Sequence, residues 1–179
     1  MKRCEDPGHR RRHHVGQRPP SPPAARALGP VMAPAPADAD HISRPGAVSG
    51  AVLRGARLSA GVSEADLAGA MGISESTVRA WECGSAPLAS VPLPGLERLH
   101  GALADAGADP RLVADIEVAA WCDLVIAAIA SGDDTSCLMA DPLARNATFS
   151  ELIAWSLAGV VPARYRPYAP PGPLIAGPA

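Results

Sequence analysis

The segment from Val62 to Gly84 constrains the fold more than any other part of the chain. Ser63 and Asp66 have the spacing of a capping box, in which two side chains satisfy backbone amides of a first helical turn, and Ser74 repeats the cap for a second helix. Gly72 can end the first helix in the left-handed conformation. Because the turn at Gly72 spans only three residues, it predicts two short helices that cross steeply.

The apolar residues of this segment recur at helical spacing, so the two helices are expected to share a small core. The predicted core residues are Leu67, Ala68, Met71, Ile73, Val78 and Trp81. Together with the caps, this pattern predicts an all-α fold.

From about Gly50 to Gly84 the chain resembles the XRE family, the helix-turn-helix of the phage lambda repressor and Cro type. The motifs that carry the resemblance are L-R-x-x-R at Leu53, Arg54 and Arg57, and W-E-x-G at Trp81, Glu82 and Gly84. The resemblance implies a five-helix-type DNA-binding domain. In this family the first helix of the pair lies across the DNA backbone and the second enters the major groove.

The resemblance also implies roles for individual residues, centred on the helix at about residues 75–83. The predicted DNA-binding residues are Arg54, Ser63, Glu75, Ser76, Thr77, Arg79 and Ala80. Arg57 and Glu82 are expected to form a largely buried ion pair that locks the first helix of the domain against the groove-facing helix. Val78 and Trp81 are expected to be buried.

The charge of this segment is unusual for a DNA-binding domain. Glu64 and Glu75 stand where family members commonly carry glutamine, and the loop at residues 85–95 contains no lysine or arginine. Residues 46–85 hold three arginines and four carboxylates, a net charge of −1. Because phosphate neutralisation supplies most non-specific affinity, we expect this domain alone to bind DNA weakly.

The flanking regions divide the chain into four predicted parts. Residues 1–45 carry a net charge of +4 and nine prolines, which predicts a disordered basic tail. Residues 46–107 form the helix-turn-helix domain. Residues 108–160 form an apolar helical region for dimerisation or sensing, with a helix over 111–131 marked by Leu112, Ile116, Ala119, Ala120 and Ala127 and a last helix capped by Thr148 and Glu151. Residues 161–179 form an extended proline-rich tail.

The cluster at residues 164–168 leaves two alternatives open. The cluster Arg164-Tyr165-Arg166-Pro167-Tyr168 can meet phosphate or a partner carboxylate, or its tyrosines can pack back on the helices.

The four cysteines lack the spacing of a zinc site, so no metal and no cofactor are predicted. The sequence has neither an export signal nor an apolar stretch long enough to span a bilayer, and arginine outnumbers lysine 15 to 1, so we expect a cytoplasmic, nucleoid-associated bacterial protein.

The sequence therefore supports two functions of different classes. The leading prediction is a sequence-specific transcriptional regulator that binds double-stranded DNA as a homodimer, with the C-terminal region also available to a protein partner. The alternative is a protein-interaction module, such as a co-regulator or antitoxin-like subunit, whose helix-turn-helix has lost strong DNA affinity. No phosphate-binding loop, nucleophile elbow or catalytic triad spacing is present in the sequence, so an enzyme is not predicted.

Overall fold

The computed structural model describes residues 45–170 and 174–175, and these residues form seven α-helices and no strand. The helices are α1 (Ala47–Ser59), α2 (Glu64–Met71), α3 (Glu75–Glu82), α4 (Leu93–Asp105), α5 (Pro110–Ser131), α6 (Ser136–Ala140) and α7 (Ala147–Ala158). The all-α prediction is confirmed for this part of the chain. The predicted tail at residues 1–45 lies, except for Pro45, outside the described residues. None of the described helices is long and apolar enough to cross a membrane.

The caps of the central helix pair are those that the sequence predicts. The Ser63 hydroxyl accepts a hydrogen bond from the Asp66 amide and the Asp66 carboxylate accepts one from the Ser63 amide, both at 3.1 Å. Ser74 accepts a hydrogen bond from the amide of Thr77 at 3.2 Å. Gly72 ends α2 with φ +68°, the left-handed conformation that glycine adopts without strain. Local capping thus sets both ends of the turn between α2 and α3.

Two glycines allow α1 to approach α3 closely. A Cβ atom at Gly50 would lie 2.4 Å from the carbonyl oxygen of Trp81, and one at Gly84 would lie 2.8 Å from the backbone nitrogen of Ala47. Because no side chain separates the backbones at these points, α1 and α3 are in direct contact. This contact fixes the position of α3 on the domain.

The N-terminal end of α1 is capped by a carboxylate that lies far away in the sequence. Asp123 of α5 is buried and accepts hydrogen bonds from the backbone amides of Val48 and Ser49, each at 2.9 Å. These amides belong to the first turn of α1, where backbone N–H groups have no hydrogen-bond acceptor within the helix itself. Asp123 therefore ties the start of α1 to the middle of α5.

The most extensive helix contact in the described chain is the one between α1 and α5. Leu112, Ile116 and Ala119 of α5 are buried, as predicted, whereas Ala120 and Ala127 are only half-buried. Buried residues of both regions form one hydrophobic cluster. The predicted parts 46–107 and 108–160 therefore share a core.

The predicted cap of the last helix is wrong by two residues. Asn146, not Thr148, caps α7, and its side-chain oxygen accepts a hydrogen bond from the amide of Thr148 at 2.9 Å. Glu151 is consequently in the second turn, where it pairs with Arg164. Asparagine is as good an N-cap as threonine, and the sequence pattern alone did not separate the two positions.

The segment after α7 is part of the core. Residues Ala163–Tyr165 form a short 3-10 helix, and the fully buried ring of Tyr165 stacks on Trp155 of α7 with ring centroids 5.1 Å apart. The prediction of an extended proline-rich tail over residues 161–179 is therefore wrong for these residues. The structure takes the alternative in which a tyrosine of this cluster packs back on the helices.

Candidate DNA interface

The N-terminal half of α3 is at the surface, as an element that enters a DNA groove must be. Glu75, Ser76 and Arg79 are exposed, and Thr77 and Ala80 are half-buried. Val78 and Trp81 point into the core and are 0% and 8% exposed. The predicted groove-facing and core-facing residues of α3 are therefore on opposite sides of the helix.

Three hydroxyl groups cluster at the first turn of α3. The Ser74 hydroxyl shares hydrogen bonds with those of Ser76 and Thr77, at 2.8 and 2.7 Å. Hydroxyls both donate and accept, so a cluster of this kind can contact any base edge or a phosphate oxygen. The cluster offers contact without strong selectivity.

Arg79 is the cation of this surface, and two carboxylates of the same domain bind it. Its Nε donates a hydrogen bond to Glu64 of α2 at 3.0 Å, and its Nη2 donates one to Glu75, one helical turn earlier in α3. The two carboxylates, Glu64 above all, raise the pKa of Arg79. The side chain remains 61% exposed, so the guanidinium is paired but accessible to solvent.

Arg57 and Glu82 form the buried ion pair that the resemblance implies. Nε and Nη2 of Arg57 donate to the two carboxylate oxygens of Glu82 at 2.6 and 2.7 Å, and Nη1 donates to the carbonyl of Val62 at 2.8 Å. The two side chains are only 8% and 6% exposed. The hydrogen bonds to Glu82 raise the pKa of Arg57. This two-point contact fixes the C-terminal end of α3 against α1.

Glu64 joins the buried pair to the exposed one. Its carboxylate lies 4.0 Å from Nη2 of Arg57 on one side and 3.0 Å from Nε of Arg79 on the other. The result is a row of alternating charges, which we call the charge row, that runs from the core to the exposed face of α3. Its members in order are Glu82, Arg57, Glu64, Arg79 and Glu75.

The two remaining predicted contact residues have different surroundings. Arg54 is exposed on α1. Ser63 is also exposed, but its hydroxyl donates to the Asp66 carboxylate at 2.7 Å while accepting from the Asp66 amide. The hydrogen bonds that the Ser63 hydroxyl and the Ser63 amide donate to this carboxylate lower the pKa of Asp66. A DNA contact by the Ser63 hydroxyl would therefore compete with the cap of α2.

Sequence reasoning missed the buried carboxylates of α5. Asp115 accepts hydrogen bonds from Arg164 at 2.6 Å and from the Tyr165 hydroxyl at 2.8 Å, while Asp123 caps α1. Asp115 follows Leu112 by three residues and Asp123 follows Ala119 by four. Residues at this spacing share one face of a helix, so both aspartates lie on its buried face. This spacing was the available signal that they would be inside.

The described residues thus assemble an exposed helix with hydroxyls, an arginine and two glutamates on one surface, held by a buried ion pair. Comparison with models of protein families, with curated proteins and with solved structures finds no match to this chain.

Proposed function

We propose that this chain is a sequence-specific DNA-binding transcriptional regulator that acts as a homodimer in the bacterial cytoplasm, at the nucleoid. In this proposal α3 enters the major groove, and Arg79 reads a guanine edge with its planar fork. Ser76 and Thr77 contact neighbouring bases or phosphates. The basic residues 1–45 add phosphate contacts that the domain itself lacks.

The observation that carries the proposal is the pairing of exposure with rigid support in α3. Its outer residues are free of the core, while Gly50, Gly84 and the Arg57–Glu82 pair hold its inner face firmly against α1. A reading helix must be both accessible and fixed, because base-edge hydrogen bonds tolerate little displacement. An ordinary surface helix needs only the first property.

Selection from random duplexes at low salt tests this function directly. The full-length protein is expected to enrich one sequence, and Arg79→Ala is expected to relax preference at one base position by about tenfold to 100-fold while the helical content is unchanged. Arg145→Ala, which removes another exposed arginine far along the chain, is the matched control and should keep the preference. Failure of the full-length protein to enrich any sequence would contradict the proposal.

The charge row favours a second candidate, a protein-interaction module. Arg79 is already bound by Glu64 and Glu75, and a surface with two carboxylates for each arginine repels phosphate. Such a surface suits a partner protein with basic side chains. Under this alternative the protein selects no duplex, and replacing Glu64 or Glu75 by glutamine weakens the protein complex instead of creating DNA binding.

A further inference from the structure

An apolar groove lies at the C-terminal end of α5. It lies between α5, α6 and α7, has a volume of about 250 Å³, and includes Ile126, Ile129, Met139, Ile153, Leu157 and Ile175 among its walls. All of its described lining residues are apolar. Water filling this space, roughly eight molecules by volume, would find few hydrogen-bonding partners.

The large apolar side chains at the rim of the groove are more exposed than is usual on the surface of a monomer. Ile129 and Leu157 are each 63% exposed and Met139 is 45% exposed, on three different helices. Scattered exposed aliphatic residues are ordinary, but a contiguous apolar groove with protruding apolar rims marks a contact surface. The groove is therefore expected to be covered.

The segments of the chain outside the described residues are poor candidates to cover it. Residues 171–173 and 176–179 consist only of proline, glycine and alanine, and Ile175 already forms part of the wall. The large aliphatic residues of the N-terminal segment are Met1, Val15, Leu28, Val31, Met32 and Ile42. Among these residues, only Leu28, Val31 and Met32 lie at helical spacing, and Pro30 interrupts this run while further prolines follow it. The sequence of these segments therefore does not predict an amphipathic helix that could fill the groove.

We propose that a second copy of this chain covers the groove, with Ile129 and Leu157 of each copy inserted into the groove of the other. The choice of a second copy rests on the proposed function, because a regulator of this kind reads two half-sites as a two-fold dimer. A patch that carries both a groove and protruding aliphatic side chains is complementary to itself, which a two-fold axis requires. An uncharged surface also meets its own copy without electrostatic repulsion.

The position of the groove is compatible with DNA reading. It is formed by the part of α5 beyond Asp123, the residue that caps the N-terminal end of α1, together with α6 and α7. None of its lining residues belongs to α1, α2 or α3. A dimer formed through the groove therefore does not use residues of α3, the helix that is proposed to read DNA.

Sedimentation of the full-length protein without DNA tests the proposal. The wild-type protein is expected to be a dimer, and Ile129→Asp and Leu157→Asp are each expected to weaken it at least about 30-fold, the change that loss of a central interface residue produces. Leu93→Asp is the matched control, because Leu93 of α4 is 67% exposed and outside the groove, so this variant should remain dimeric. Melting curves of all variants serve to check that the fold is kept.

A monomeric wild-type protein would overturn the proposal. If that monomer were also destabilised by Ile129→Asp, a segment of the same chain would be the occupant. A dimer unaffected by both groove variants would place the interface elsewhere and would likewise overturn it. Because no DNA is present, a dimer that depends on the groove but selects no duplex would uphold this inference and contradict the proposed function.

Discussion

Glu64 of α2 accepts a hydrogen bond from Nε of Arg79 in α3 at 3.0 Å, so a carboxylate of the domain binds the cation that is proposed to read DNA. The sequence alone predicts that Glu64 opposes DNA binding in one way, by electrostatic repulsion of phosphate. The structure adds a second effect, because Arg79 must leave Glu64 before it can reach a base. Both effects act in the same direction.

Replacing Glu64 by glutamine is expected to tighten binding to every duplex without changing the preferred sequence. Removal of one unit charge near a phosphate corresponds to about 1 kcal/mol in water, or about fivefold in affinity at low salt. Fluorescence anisotropy with several duplexes measures this change. Glu97→Gln, at an exposed position in α4, is the control for overall charge and should have a smaller effect. Equal affinity of the Glu64→Gln variant and the wild type would argue against contact between this face and DNA.

Removing one partner of the buried Arg57–Glu82 pair is expected to destabilise the fold. In Glu82→Gln the Arg57 guanidinium keeps its charge inside the protein without a counter-charge at 2.6 Å, which should cost about 3–5 kcal/mol. Urea unfolding measures the loss, and Glu97→Gln again serves as the exposed control. An unchanged free energy of unfolding would mean that the pair contributes nothing to the contact between α1 and α3.

Two helical glycines should respond to alanine in opposite directions. Gly50→Ala places a methyl group 2.4 Å from the Trp81 carbonyl and should cost about 1–3 kcal/mol as α1 moves away from α3. Gly69 of α2 has no neighbouring atom within 4 Å of an added Cβ, so Gly69→Ala should stabilise the protein by about 0.5–1 kcal/mol. Thermal unfolding of both variants provides the comparison. Equal melting temperatures would contradict the close approach of the two helices.

Asp123 should make the stability of the protein depend on pH. Burial raises the pKa of Asp123 from its ordinary 3.8 to about 6, although hydrogen bonds from Ser49 and Val48 oppose the change. The folded protein therefore binds this proton more tightly than the unfolded chain does. The resulting stabilisation, up to about 3 kcal/mol, is fully present below pH 3.8 and is lost as the pH rises through about 6.

The test of this dependence is a comparison with Asp123→Asn, which cannot titrate. The difference in unfolding free energy between wild type and variant, measured in urea from about pH 4 to about pH 7, should shift against the wild type as the pH rises. Subtracting the variant removes the contribution of Asp66 and Asp134, whose pKa values are lowered and which act in the opposite direction. A difference that stays constant across this range would contradict the raised pKa.

The basic N-terminal segment is predicted to act on affinity and not on sequence preference. Replacing Arg10, Arg11 and Arg12 by glutamine in the full-length chain should reduce the slope of log affinity against log salt by up to about 3, near 0.9 per lost phosphate contact. Deleting residues 1–45 should flatten the slope further. Either change is measured by anisotropy over a salt series. A shift in the preferred sequence would instead show that this segment reads a groove.

The parts of the fold that the sequence predicted are those set by short-range chemistry. Ser63, Gly72 and Ser74 determine both ends of α2 and the start of α3 through bonds to residues within four positions, so their spacing was sufficient. The missed features join distant positions. Asp123 caps a helix 75 residues earlier in the chain, and no local pattern carries that information.

The candidate site divides in the same way. Helical spacing predicts that Val78 and Trp81 face the core. The outward position of Glu75, Ser76 and Arg79 and the Arg57–Glu82 contact are implied by the family resemblance. The attachment of Arg79 to Glu64 was not foreseen, because it depends on how α2 and α3 are placed together. Spacing along each helix predicts which side faces outward but not which side chains of two helices meet there.

The buried ring of Tyr165 also has a consequence for synthesis on the ribosome. It packs against α1 at Gly55, where an added Cβ would lie 3.1 Å from its Cδ1 atom. The surface of α1 is therefore fully covered only after about a hundred further residues have been translated. Contacts of such long sequence separation slow folding, so the nascent helix-turn-helix is expected to need protection from aggregation until Tyr165 has left the exit tunnel.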